Sequence, residues 1–357
     1  MIDSSPGTSC PQAHFRANLQ RTGCLNEVFS PPLRLRWERT FDGEVRSPTI
    51  AYGHVYFNTL SGHATALALS DGSLVWQFTA PARLNASLMI WGGRAYCGGN
   101  DACFYCFDAH TGALLWKQQA EAAIQGNFAA WGDMVFCGSY DGCVYAFDAV
   151  DGTLRWVMNV GGGVNCSLAE MDGLLYFGAN DGHVWALDAH SGCVVWQARA
   201  PGGINSTCAV SPRGLFTGTR SGHFCAFDIT TGRLNWALDF GARIYASPAL
   251  DDEFVYIASD LGTLRKLRIE DGGLIWEAPI GSSKLPPGGQ VWTCPTLAGE
   301  VVWIGPALGE IMAVDRHTGT KLWAYPVEGP SSSSVAIDAG TMASSTGGRR
   351  LLLFESI

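Results

Sequence analysis

The chain is 357 residues long, enough for one large domain or two modest ones, and with 47% apolar and 15% charged residues it reads as globular, not disordered. Its formal charge of −9 excludes the basic groove of a nucleic-acid-binding protein. No run of about 18 apolar residues offers a helix for membrane insertion.

At the N-terminus, MIDSSPGTSCPQAHF carries neither the basic nor the apolar region of a signal peptide, and no hydrophobic stretch precedes Cys10 or Cys24 as in a lipoprotein signal. Read as a native start, this places the protein in the cytoplasm; a chain trimmed of its leader would be a secreted one. The twelve cysteines fit a reducing compartment better than a disulfide framework. Cys97 and Cys137 are 40 residues apart, as are Cys103 and Cys143, so they are equivalent positions in successive repeats. Cys103 and Cys106 fall on opposite faces of a strand, and most of the cysteines are expected to be buried small hydrophobes.

Residues 1–30 form a lead-in segment, and from residue 31 the chain repeats. Trp37, Trp76, Trp116, Trp156, Trp196, Trp236, Trp276 and Trp323 recur at steps of 40 residues from Trp76 to Trp276, with a last step of 47. Gly72, Gly112, Gly152, Gly192, Gly232, Gly272 and Gly319 keep the same beat. Between residues 164 and 196 the unit shows four short apolar runs divided by Asp-Gly, Asn-Asp-Gly and His-Ser-Gly breaks, the signature of four antiparallel strands, A to D. Such units at a 40-residue period predict propeller blades. Seven complete units end at Trp76 through Trp323. SSSVAID, TMASS and LLLFES supply three further strands, and PPLRLRWERT near the N-terminus supplies the fourth. The predicted fold is therefore an all-β, eight-bladed β-propeller over residues 31–357, closed by a blade shared between the two termini, which leaves no open edge.

In the turn between strands C and D, Asp108, Asp148, Asp188, Asp228 and Asp315 can accept backbone N–H bonds while the glycine supplies the positive-φ position. The Trp four residues on offers its ring to seal one blade against the next. Blade one has Ala68 and blade six Arg268 in place of the Asp, so these two corners are expected to be less regular.

The pattern G-x-x-x-A-[LF]-D-x-x-T-G-x-x-x-W, with the lead-in HFRANLQRTG and PPLRLRW, resembles the pyrroloquinoline-quinone-like repeat propellers over residues 31–357. That family includes quinoprotein alcohol dehydrogenases and the outer-membrane assembly-factor B lipoprotein, so the resemblance implies the fold and leaves function to the site. A dehydrogenase of this kind implies a vicinal cysteine pair, acidic and amide calcium ligands and an Asp base. The chain has no adjacent cysteines and nearly bare blades. Neither pyrroloquinoline quinone nor calcium is expected as a cofactor, and a quinone dehydrogenase ranks third among the readings.

No nucleophile elbow, P-loop, dinucleotide fingerprint or HExxH motif is present. His63, His183 and His223 share one slot with Cys103 and Cys143 at the start of strand C. Neighbouring blades there are on the order of 15 Å apart, whereas zinc needs ligands at about 2.3 Å, so no metal site is expected. The better row lies where the chain enters strand A and lines the channel: Arg46, Asn85, Gln125, Asn165, Asn205, Tyr245 and Trp292, with Ser332 in the shared blade. Four carboxamides that both donate and accept could hold a polar, uncharged or anionic ligand, or could simply bond to one another across blades. The Pro/Gly-rich insertion at 280–291 could form a rim, and Arg16 and Arg21 of the lead-in could reach the mouth. Glu44, Glu121, Asp239 and Glu328 are the acid/base candidates, each more simply a solvated loop carboxylate.

The leading expectation is a propeller that binds a small polar molecule or a protein or peptide partner at the channel face, with no assigned catalytic residue. The alternative is a cofactor-independent enzyme acting by cyclisation, rearrangement or elimination. A closed pocket holding Trp292, Tyr245 and an inward carboxylate would favour the enzyme; an apolar patch on one face would favour a partner-binding scaffold.

Overall fold

A computed structural model describes residues 16–280, 291–305, 309–328, 333–347 and 349–357. Its strands form eight antiparallel four-stranded units, one of which gains a short fifth strand. In blade four the order from the axis outward is Ala169–Met171, Leu174–Gly178, His183–Asp188 and Val194–Arg199. Strands B and C bury nearly every side chain because both their faces lie against neighbouring blades. The outermost strand buries one residue in blade four, Trp196.

The ring closes as the repeat count requires. Leu33–Thr40 pairs antiparallel with Arg350–Ser356, from Leu33 opposite Ser356 to Thr40 opposite Arg350, and Thr341–Ser345 and Ala336–Asp338 complete the blade. Hydrophobic clusters lie between blades, not within them. One joins Tyr56, Ala66 and Trp76 of blade one to Ile90, Cys97 and Tyr105 of blade two, and another joins Trp37 and Leu353 of the shared blade to Ile50 and Val55 of blade one. Eight of the eleven described cysteines are buried and all eleven are free thiols.

The interblade joint is the same at seven places. Trp116 Nε1 donates to the Ala149 carbonyl of the next blade at 3.4 Å, and Trp156 Nε1 to that of Ala189 at 3.0 Å. The indole then lies flat against the glycine three residues beyond that carbonyl. Gly152 has φ +73°, and a Cβ built on it would sit 2.6 Å from Trp116. Gly therefore meets two demands there, a left-handed backbone and the absence of a side chain. In most of the turns Asp fixes the loop: Asp108 Oδ1 accepts the His110 and Thr111 N–H groups and the Thr111 hydroxyl.

The corners of blades one and six are as regular as the rest, contrary to the expectation from Ala68 and Arg268. Gly72 N donates to Ala68 O at 2.9 Å with φ +69°, and Gly272 N to Arg268 O at 3.0 Å with φ +73°. The glycine and the backbone bond set the turn, and Asp71 and Asp271 supply a carboxylate from the position before the glycine, accepting Ser73 N–H and Gly273 N–H. The irregular joint is at the seam. Trp323 faces the shared blade, whose strands C and D come from opposite termini and have no turn between them. Its indole N–H has no partner among the described residues, and a 420 Å³ cleft lined by Pro31, Pro32, Leu322 and Trp323 lies there.

Gly152→Ala and Gly132→Ala separate the two demands. Gly132 has φ +60° and nothing within 4 Å of a built Cβ, so its substitution should cost only the left-handed penalty of about 1–2 kcal/mol. Gly152→Ala adds overpacking against Trp116 and should cost about 3 kcal/mol or more by denaturant unfolding; equal losses would refute the interlock.

Candidate functional site

Each blade delivers its channel-lining residues through the connection from strand D of the previous blade into strand A. Asn85, Gln125, Asn165, Asn205, Tyr245 and Trp292 come together with Arg46 around one mouth of the channel, over a cavity of 360 Å³ that Glu44 and Tyr140 also line. Ser332 and residues 281–290 of the insertion lie outside the described residues, as does His14.

The carboxamides do not bond to one another directly. Residues of the B–C turns link them: Asn85 Nδ2 donates to Asn100 Oδ1 at 2.8 Å and Gln125 Nε2 to the same oxygen at 3.3 Å. Tyr140 donates to Gln125 Oε1 at 3.2 Å and receives Asn165 Nδ2 at 3.0 Å. The Oδ1 atoms of Asn165 and Asn205 are buried and have no hydrogen-bond partner among the described residues. Across the mouth, Tyr245 and Trp292 stack at 4.5 Å between centroids with planes 20° apart, and Trp292 remains 36% exposed. Arg46 directly precedes the next row, without the intervening residue found in the other blades. Its side chain still reaches the mouth, where Nε donates to Asn85 O at 3.0 Å and Nη1 lies 3.6 Å from Glu44. Burial lowers the Arg46 pKa, and Glu44 opposes that shift.

Two residues deeper lies a second row that the search for carboxamides passed over. Asn127 N donates to Ser167 Oγ at 3.2 Å, Ser167 N to Thr207 Oγ1 at 3.3 Å, and Thr207 N to Ser247 Oγ at 3.0 Å. The row continues through Cys294 and Ser334 to Ser47, each side chain accepting the backbone N–H of the preceding blade. Its signal is in the sequence: Asn85-Ala-Ser87, Gln125-Gly-Asn127, Asn165-Cys-Ser167, Asn205-Ser-Thr207 and Tyr245-Ala-Ser247 recur every 40 residues.

The lead-in closes the other end. Leu19, Gln20, Thr22 and Gly23 carbonyls accept the N–H groups of Glu170, Val210, Leu250 and Leu297, so the segment runs along the inner strands of blades four to seven. Cys24–Leu25 then pairs parallel with Leu297–Ala298 as the fifth strand. Arg16 and Arg21 do not reach the mouth. Both are buried beneath the second row, where Arg21 donates to Leu168 O at 2.9 Å and to Phe128 O, and Arg16 to Pro248 O. Burial, and secondarily the neighbouring Arg16, push the Arg21 pKa down to about 9, so it stays cationic at neutral pH. The channel is thus a blind funnel.

The strand C histidines do not meet one another: His63 contacts Asp42 and Thr79, His183 contacts Asp181, and His223 contacts Ser221. Among the acid/base candidates, only Glu44 lines the mouth; Glu121, Asp239 at the end of its strand, and Glu328 are exposed. Asp260, not singled out by sequence, lies behind Trp292. It accepts Val291 N–H at 2.7 Å and sits 3.4 Å from Arg243, while burial pushes its pKa up. Glu44 and Asp260 each face an arginine, and no third His, Cys, Asp or Glu joins either among the described residues.

An eight-bladed propeller with pyrroloquinoline-quinone-like repeats is the class that this fold defines. The chain belongs to the family described as outer membrane protein assembly factor BamB, whose model matches residues 33–103, 100–213 and 180–352. BamB from Moraxella catarrhalis superposes with a TM-score of 0.75 at 19% identity, over 91% of this chain and 100% of that one. A europium-containing methanol dehydrogenase gives 0.83 at 14%, over 95% and 96%. Quinohemoprotein alcohol dehydrogenase from Comamonas testosteroni gives 0.80 at 14%, over 95% and 79%. No curated protein sequence matches the chain. At these identities the likenesses establish the fold. No helix among the described residues is long and apolar enough to cross a membrane.

Two substitutions probe this site. Ser167→Ala removes the acceptor of Asn127 N–H and Nδ2, and leaving that buried donor unmade should cost about 1–3 kcal/mol, with Ser167→Thr restoring most of it in denaturant unfolding. For Asp260, a folded-state pKa above the unfolded value means stability that is present in acid and lost as pH rises through the folded pKa. Asp260→Asn keeps an oxygen for Val291 N–H and removes that loss. The stability of the wild type relative to the variant should therefore fall as pH is raised above the ordinary carboxylate range; a rise would contradict the buried placement.

Proposed function

We propose that the chain is a binding propeller whose blind funnel holds a small polar molecule, uncharged or anionic, with one flat face. The observation that carries this reading is the pair of buried, unpaired acceptors, Asn165 Oδ1 and Asn205 Oδ1, on the funnel wall. Buried polar atoms need partners, and a ligand hydroxyl or N–H supplies them. Arg46 offers charge-assisted donors, and the exposed face of Trp292 offers a stacking surface. A cavity of 360 Å³ lies within the size range of small-molecule sites.

A protein-binding scaffold receives less support. The exposed apolar side chains, such as Leu74 and Val75, Leu114 and Leu115, or Leu274 and Ile275, recur at the start of each outer strand. They ring the circumference and do not gather on one face. The enzyme reading rests on Glu44, a carboxylate that lines the mouth cavity with Trp292, next to a smaller cavity lined by Trp292 and Tyr245.

A thermal-shift screen with monosaccharides, nucleosides and small mono- and dicarboxylic acids tests the proposal, with pyrroloquinoline quinone plus calcium as a further arm. A saturable rise in Tm is expected for at least one member of the first set and none for the quinone arm. Asn165→Ala and Trp292→Ala should each weaken that response about tenfold or more. A panel with no hit, or a hit indifferent to both variants, would sink it. Turnover of the bound compound that disappears in Glu44→Gln while binding persists would convert binding into catalysis.

A further inference from the structure

Beneath the second row, between the lead-in and the inner strands of blades eight and one, lies a separate cavity of 120 Å³. Its lining is mixed: Leu25, Ile50, Val335 and Ile337 are apolar, and the polar groups gather around Arg16. Arg16 is 6% exposed and is fixed by its Nε bond to Arg21 O at 3.2 Å and by Nη2 on Pro248 O, which leaves Nη1 buried with no partner. No carboxylate pairs with Arg16 among the described residues. Ser334 N donates to Ser47 Oγ at 3.1 Å, and Cys294 N donates to Ser334 Oγ at 3.4 Å. Each of these hydroxyls spends acceptor capacity on a backbone N–H and keeps its own proton to donate. Thr296 adds a buried hydroxyl whose oxygen makes no other bond among the described residues. Asp338, the only acid in the lining, stands at the exposed lip.

We propose that this cavity is a binding site for a small inorganic anion, a halide or an oxyanion no larger than phosphate, held by Arg16 Nη1 and the hydroxyls of Ser47, Ser334 and Thr296. A buried guanidinium without a counter-charge is costly, and an occupant that only accepts hydrogen bonds is the one that an unpaired guanidinium N–H and three hydroxyls select. Arg21, buried beside Arg16, adds a second positive charge to the same floor. The anion ties the lead-in to blades eight and one, on the side of the channel where Leu19–Gly23 makes no strand contacts. It is independent of any ligand at the mouth.

The test measures Tm at constant ionic strength while sodium gluconate, whose anion is too bulky for the cavity, is replaced by sodium chloride in one series and by sodium phosphate in another. A saturable rise is expected in at least one series, with its half-saturation concentration raised tenfold or more in Arg16→Gln and several-fold in Thr296→Val. Crystals soaked in sodium bromide should show an anomalous peak within hydrogen-bond distance of Arg16 Nη1. A Tm indifferent to both anions, an identical response in Arg16→Gln and Thr296→Val, or a bromide peak only elsewhere would overturn the proposal. Should Arg16→Gln fail to fold, Thr296→Val and the bromide peak decide it.

Discussion

The contact between an indole ring and a bare glycine on the next blade holds this molecule in its ring. Trp76 on Gly112, Trp116 on Gly152 and Trp196 on Gly232 repeat one geometry, in which the turn glycine lies against Cδ2 at the fused edge of the indole and the indole N–H reaches a carbonyl three residues earlier. The joint is steric and directional at once. A side chain at the glycine would push the blades apart, and loss of the N–H bond would leave a buried carbonyl short of a donor. Because every blade is both donor and receiver, an error at one joint strains two blades, and closure by Leu33–Thr40 on Arg350–Ser356 turns a stack into a ring.

That ring sets what the channel can be. Eight inner strands converge on one axis, so whatever each repeat carries at its entry into strand A is displayed eightfold. The deeper row is nearly uniform, and its Ser, Thr, Asn and Cys side chains pass hydrogen bonds from blade to blade. The outer row is where the repeats diverge: amides on one arc, and Arg46, Tyr245 and Trp292 on the other. The uniform row serves the fold, and the divergent row is the one on which the proposed ligand binding rests. The lead-in then converts an open channel into a funnel with a floor by lending carbonyls to the unpaired N–H groups of four inner strands, which would otherwise face the channel unsatisfied.

The fold was legible because repetition amplifies weak signals: a single glycine turn says little, but seven in phase specify blades. The shared blade followed from counting strands. The corners of blades one and six were misjudged because the Asp at the start of the turn is one way of holding a loop that the glycine already determines; Asp71 and Asp271 bond further along it, to Ser73 N–H and Gly273 N–H, as Asp151 bonds to Thr153 N–H in blade three. The second row was overlooked because Ser and Thr at Ser87, Ser167 and Thr207 look like ordinary strand residues until neighbouring blades bring each within reach of a backbone N–H.

The sequence by itself determined the blade count, the closure and which residues are equivalent where the chain enters each blade, since these depend on period and spacing along the chain. The tertiary structure alone decided that Arg16 and Arg21 lie under the channel and not at its mouth, that Asn100 and Tyr140 link the amides, and that Asn165 and Asn205 keep unpaired acceptors. The reason is physical. Period fixes which residues are equivalent, but the partner of each polar atom is set by chain segments far away in sequence, such as the 147 residues between Arg21 and Leu168, and only closure of the ring brings them within hydrogen-bond distance.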